Sequence, residues 1–136
     1  MLLLLAFLAV APASAPAEPL AGQLRAALWY DLGVNAFIGN GNWLASIWYN
    51  AGSDTMPNLH IRELRCGGNG AIRRCSFMLL RDGGAAKVFG EEAPDKLACD
   101  AALIRVKGED GWEVKHTPPH RTGHSQTTMQ CKASAG

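Results

Sequence analysis

No lysine or arginine occurs before Arg25, and no cysteine before Cys66. The first absence leaves the run Leu2–Val10 without charge, and the second excludes a lipid-anchored cysteine near the head of the chain. No later stretch approaches the roughly twenty apolar residues that a membrane-spanning helix needs. Charged residues are scarce at 18%, and their net charge is only +1. That balance does not suggest a nucleic-acid partner, and with 48% hydrophobic residues it does not suggest disorder. There is no C-x-x-C pair and no Gly-x-Ser-x-Gly elbow, so two familiar routes to metal binding and to acyl transfer are missing. Internal repeats and low-complexity runs are absent as well.

What is present begins with an export signal. The run Leu2–Val10 is too short to span a bilayer and suits the apolar region of a signal peptide. Ala15-Pro16-Ala17 supplies the small-residue cleavage pattern, with Ala13-Ser14-Ala15 as a rival. Residues 1–17 are therefore expected to be a leader. Residues 18–136 then form a single small domain in the periplasm or outside the cell.

Four cysteines, Cys66, Cys75, Cys99 and Cys131, read as two disulfides in such a compartment. Chain order favours Cys66–Cys75 and Cys99–Cys131. The first pair flanks Gly67-Gly68-Asn69-Gly70, a turn signal between two apolar runs. A two-residue turn at Asn69-Gly70 would set Cys66 against Arg73 and Cys75 against Leu64. Opposing the cysteines needs a turn centred on Gly70-Ala71, or a bulge, since bridged Cα atoms lie within about 7 Å.

Leu20, Leu24, Ala27, Leu28 and Leu32 recur at helical spacing, which predicts a helix over Pro19–Leu32 ended by Gly33. Val34–Asn42 follows, closing on a Gly39–Asn42 loop. Trp43–Asn50 alternates and predicts a strand with Trp43 and Trp48 on opposite faces, one in the core and one outside, where it would stack on a sugar or a partner protein. Ala51–Asn58 is a turn segment. Leu59–Cys66 and Ile72–Arg81 predict a hairpin, Lys87–Phe89 a short strand and Glu91–Lys96 a charged loop. Leu97–Lys107 is the longest strand expected, with Leu97, Cys99, Ala101 and Leu103 on one face. Trp112–His116 returns beside it, and a Pro-rich loop leads to a last strand over Gln126–Cys131. The order predicts an α+β fold: an N-terminal helix packed on an antiparallel β-meander with two disulfides. Animal cystatins are similar in placing a helix before a meander whose later half carries two sequential disulfides. Their Gln-x-Val-x-Gly hairpin does not occur in this chain, and no family is assigned.

Several constellations bear on chemistry. His116, His120 and His124 are four residues apart, and a folded-back loop would let them hold zinc or copper, with His60 as a further ligand. Pro118, Pro119 and Gly123 oppose the helix that would stack them. Ser125 with His116 or His124 and Asp100 would make a Ser-His-Asp set, the basis of a small hydrolase. A Cys-His nucleophile is excluded if all four thiols are oxidised, and Glu91, Glu92 and Asp95 fit a solvated loop better than a catalytic pair. Leu59–Arg81 carries Arg62, Arg65, Arg73, Arg74 and Arg81 against one acid, Glu63. Glu91–Glu113 is acidic in turn, and the two segments either neutralise each other or leave an anion-binding hairpin, with Arg73 and Arg74 both reaching outward. The leading expectation is a non-enzymatic, inhibitor-like binding module for an envelope or extracellular protein or a glycan. A periplasmic metal-binding protein and a small hydrolase are its rivals.

Overall fold

The computed structural model describes residues 13–51, 58–68, 70–88, 90–106, 111–118 and 125–134. Most of the expected leader lies outside them. Within its last residues, Ser14 exchanges two backbone hydrogen bonds with Cys66, at 2.9 and 3.1 Å.

Helix α1 runs Leu20–Ile38. Its buried face repeats through Ala21, Leu24, Ala27, Leu28, Asp31, Leu32 and Asn35, the spacing that one face of a helix requires. The helix passes through Gly33 rather than ending there, which corrects the expected boundary. A Cβ at Gly33 would lie 3.4 Å from the Tyr49 hydroxyl, so this glycine marks close packing between helices. The terminator is Gly39, left-handed at φ 62°, whose N–H donates to Asn35 O at 2.8 Å.

The reversal after α1 is organised by the buried Asn35 side chain. Its Oδ1 accepts from the Asn40 and Asn42 backbone N–H groups at 3.1 and 3.2 Å, and its Nδ2 donates to Asn42 O at 2.7 Å. The chain then enters α2, Trp43–Asn50. This segment was expected to be a strand, and it is a helix. Ala45, Ser46, Ile47 and Trp48 are all buried in succession, which a period of two does not allow but a short helix wedged between layers does. Trp48 stacks on Trp29 of α1, with ring centroids 6.1 Å apart. Trp48 is core and Trp43 is exposed, so one is inside and one outside although the segment is a helix.

The main sheet contains β1 (Leu59–Gly67), β2 (Ile72–Arg81), β5 (Lys96–Arg105), β6 (Trp112–Val114) and β9 (Gln130–Ala133). The order is β1-β2-β5-β6, all antiparallel, and β9 also pairs with β5. This is not a plain meander. One edge of β5 is shared, with β9 along Leu97–Asp100 and β6 along Leu103–Arg105. Between β2 and β5 the chain makes a small hairpin, β3 (Ala86–Val88) and β4 (Glu91–Ala93). The expected charged loop over 91–96 is therefore half strand, held because Ala93 packs on Ile47 and Ala51. A last pair, β7 (His116–Thr117) and β8 (Gln126–Thr127), closes the C-terminal region.

Both disulfides join the expected partners, Cys66–Cys75 and Cys99–Cys131. A bulge between Arg62 and Arg65, with Glu63 at φ 54°, moves the register so that Cys66 faces Cys75. The same bulge turns Leu64 into the core, which α1, α2 and one face of the sheet enclose.

Candidate functional site

The sheet's other face carries no second layer among the described residues. Strand alternation sends Arg74 and Ser76 of β2 away from the buried Cys75 and Phe77. Register then builds rows across the strands. Arg65 faces Ser76, which faces Asp100, which faces Gln130. In the next row Arg62 faces Met78, then Ala98, then Lys132. At about 4.8 Å between strands, that row spans roughly 14 Å. Arg62, Arg65, Arg74 and Lys132 are all exposed, and Asp100 is the carboxylate set among them, with exposed Glu63 at the bulge. Ion pairs among the described residues join Arg25 to Glu18, His60 to Asp82 and His116 to Asp31, and none takes up Arg62, Arg65 or Arg74.

Of the acidic stretch, Asp100 lies among these cations, and two other described carboxylates are engaged elsewhere. Glu91 accepts a hydrogen bond from the Trp43 indole at 3.0 Å, and Glu92 opposes Lys87 within the small hairpin. One expected member is corrected. Arg73 does not reach outward beside Arg74, because it leaves β2 on the packed side opposite Leu103. There its guanidinium carbon lies 6.0 Å from the centre of the Trp112 ring, and it donates to the Gly68 carbonyl.

Of the three loop histidines, His116 is described; His120 and His124 lie outside the described residues. Among the described residues no three His, Cys, Asp or Glu side chains are grouped to hold a metal. His60 is hydrogen-bonded to Asp82 at 2.8 Å. His116 is engaged by α1: its Nε2 lies 2.6 Å from Asp31 Oδ1, and Thr127 Oγ1 donates to Asp31 Oδ2 at 2.6 Å. The buried carboxylate thus ties α1 to β7 and β8. The carboxylate beside His116 is therefore Asp31 and not the expected Asp100, which sits on the open sheet face. In a neutral imidazole whose Nε2 donates to Asp31, Nδ1 is an acceptor. Ser125 Oγ is 3.4 Å from it, longer than a well-formed O–H bond. A groove of about 460 Å³ runs past Tyr30, Asp31, Val34, Ile104, Lys115 and His116.

Sequence reasoning missed the outer face of α1. Tyr30 and Phe37 are exposed, Phe37 at 91%, and with Trp29, Val34, Ile38 and Tyr49 they line an apolar groove of about 620 Å³. Ending the helix at Leu32 hid this face, because Val34, Phe37 and Ile38 come into line with Tyr30 only if helical spacing continues past Gly33.

Comparison with known proteins found no matching family, no matching curated relative and no matching solved structure.

Proposed function

We propose that the protein is an exported binding module that recognises an anionic macromolecular partner through the open face of its sheet. The observation that carries this reading is the set of four exposed cations, Arg62, Arg65, Arg74 and Lys132, against two exposed carboxylates, Asp100 and Glu63 at the bulge. Guanidinium forks suit carboxylate and phosphate oxygens, and a positive field over a flat sheet speeds encounter with a polyanion. Two disulfides hold β1 to β2 and β5 to β9, so little order has to be gained on binding. Disulfides and the apolar leader sequence both fit an oxidising compartment.

The test is a triple variant, Arg62→Glu with Arg65→Glu and Arg74→Glu. The native protein should be retained on immobilised heparin and released by salt. The variant should elute at markedly lower salt while its unfolding free energy changes by about 1 kcal/mol or less, as for exposed charges. Failure of the native protein to bind, or a large loss of stability in the variant, would remove the binding-face reading.

A second reading has one specific observation in its favour, the Asp31–His116–Ser125 alignment. As a hydrolase, Ser125 would attack an ester carbonyl carbon while His116 Nδ1 takes the hydroxyl proton, and His116 would then return that proton to the departing alkoxide. Labelling of Ser125 by a fluorophosphonate, abolished in Ser125→Ala, would favour it. An unlabelled native protein would end it.

A further inference from the structure

Beneath the first turns of α1, the ends of β2, β5 and β6 enclose a pocket of about 350 Å³. Leu20, Gln23, Gly70, Arg73, Arg105 and Trp112 line it. It is separate from the cationic face, because Arg73 and Arg74 leave β2 on opposite sides of the sheet.

The group at issue is the Arg73 guanidinium, which stays charged at any ordinary pH. It is half-buried, and its Nε is fully buried without a hydrogen-bond partner. Its neighbours among the described residues are the Gly68 carbonyl and the face of Trp112. No described carboxylate pairs with it. Withdrawing a charge from water without a countercharge is costly. A single carbonyl and a cation–π contact offset that only in part. The pocket wall adds a second guanidinium from Arg105, the Gln23 amide and two apolar surfaces, Leu20 and the Trp112 ring. Its volume lies at the small end of ligand sites, which run from about 300 to 1,000 Å³.

We infer that this pocket binds a small organic oxyanion, a carboxylate or a phosphate monoester on a compact polar body, with Arg73 as the anchoring cation. The oxyanion supplies a countercharge that no described residue gives Arg73, and it accepts from the outward N–H groups of that side chain. Trp112 holds the guanidinium plane, and Gln23 offers a donor and an acceptor to the polar body of the ligand. The site goes beyond the polyanion face, since it takes a small molecule on the other side of β2 and does not depend on Arg62, Arg65 or Arg74.

The experiment is calorimetric titration of the full chain, disulfides intact, with glucuronate, with glucose 1-phosphate and with neutral glucose. One or both anions should bind saturably and glucose should not, and the stronger of the two anions identifies carboxylate or phosphate as the preferred group. Arg73→Gln should weaken that binding by about tenfold or more, and Arg73→Lys, which keeps the charge but loses the fork, by less. The triple Arg62, Arg65 and Arg74 variant should bind the small anion within about twofold of native, since those residues do not touch the pocket. If Arg73→Gln does not fold, the native protein still decides by NMR. The Trp112 indole N–H signal should shift on titration. Absence of binding by either anion at about 10 mM would overturn the inference. So would an unchanged affinity in folded Arg73→Gln, or shifts confined to the sheet's open face.

Discussion

Asp31 sits in the middle of α1, nearly buried, and accepts hydrogen bonds from His116 and Thr127 that come from the far end of the chain. Asp31→Ala should destabilise the protein by about 1–3 kcal/mol, because a buried and a half-buried donor lose their acceptor. Denaturant unfolding would measure it, and a change below about 0.5 kcal/mol would show that the network is not structural. Glu18 works at the surface. Its carboxylate accepts from Arg25 at 2.6 Å and from the Gly22 N–H at 3.0 Å, and these bonds hold its pKa below the usual 4.5. The ionised form is the one favoured by folding, so the contribution is present above pH 4.5 and is lost as pH falls through the lowered value. The thermal midpoint of the native protein should therefore fall more steeply on acidification than that of Glu18→Gln. Parallel curves would remove the effect. Neither role was legible in the sequence. Asp31 is one polar residue on a helix, and its partners lie 85 and 96 positions away.

The loop between the two helices separates two glycines that look alike in the sequence. Gly39 has φ 62° and open space where a Cβ would go. Gly41 has φ 107°, and a Cβ there would fall 1.9 Å from Gln126 Oε1. Gly39→Ala should cost about 1 kcal/mol, the ordinary penalty for a left-handed residue. Gly41→Ala should cost more, about 2–3 kcal/mol, since φ 107° lies outside the left-handed well open to alanine and the Gln126 side chain must move. Equal losses would show that Gln126 yields freely. The two helices also show why local pattern was insufficient. Trp43–Asn50 satisfies a period of two, yet the Asn35 amide sets its entry and stacking on Trp29 sets its burial. Trp48→Ala should therefore cost about 3–5 kcal/mol, as for a large core side chain. The strands were easier to read. Leu97, Cys99, Ala101 and Leu103 are all buried, as their spacing demands, with Ala102 buried between the last two.

The two disulfides together cross-link the sheet, and the cysteines pair in chain order, first with second and third with fourth. On the loop-entropy argument, removing Cys99–Cys131 by double serine substitution should cost about 3–4 kcal/mol, and removing Cys66–Cys75 slightly less for its shorter loop. Unfolding midpoints of the two double variants would test the order, and the reverse order would imply that strain or residual structure outweighs chain entropy. The same topology divides the arginines of one hairpin between two uses. Arg74 faces solvent on the open sheet, and Arg73 lies in a pocket against Trp112.

The composition and cysteine order of this chain were enough to predict an α+β domain with a leading helix, an antiparallel sheet and two named disulfides. Those features follow from simple rules, namely the 3.6 and 2.0 periods of apolar residues and the pairing of cysteines in chain order. Tertiary structure alone decided that Gly33 lies inside α1, that α2 is a helix and that β9 returns to the edge of β5. It also decided that Asp31 meets His116 and that Arg73 parts company with Arg74. Each of these depends on a contact between residues far apart in the chain. Periodicity shows which face of an element is apolar, but not what that face will meet.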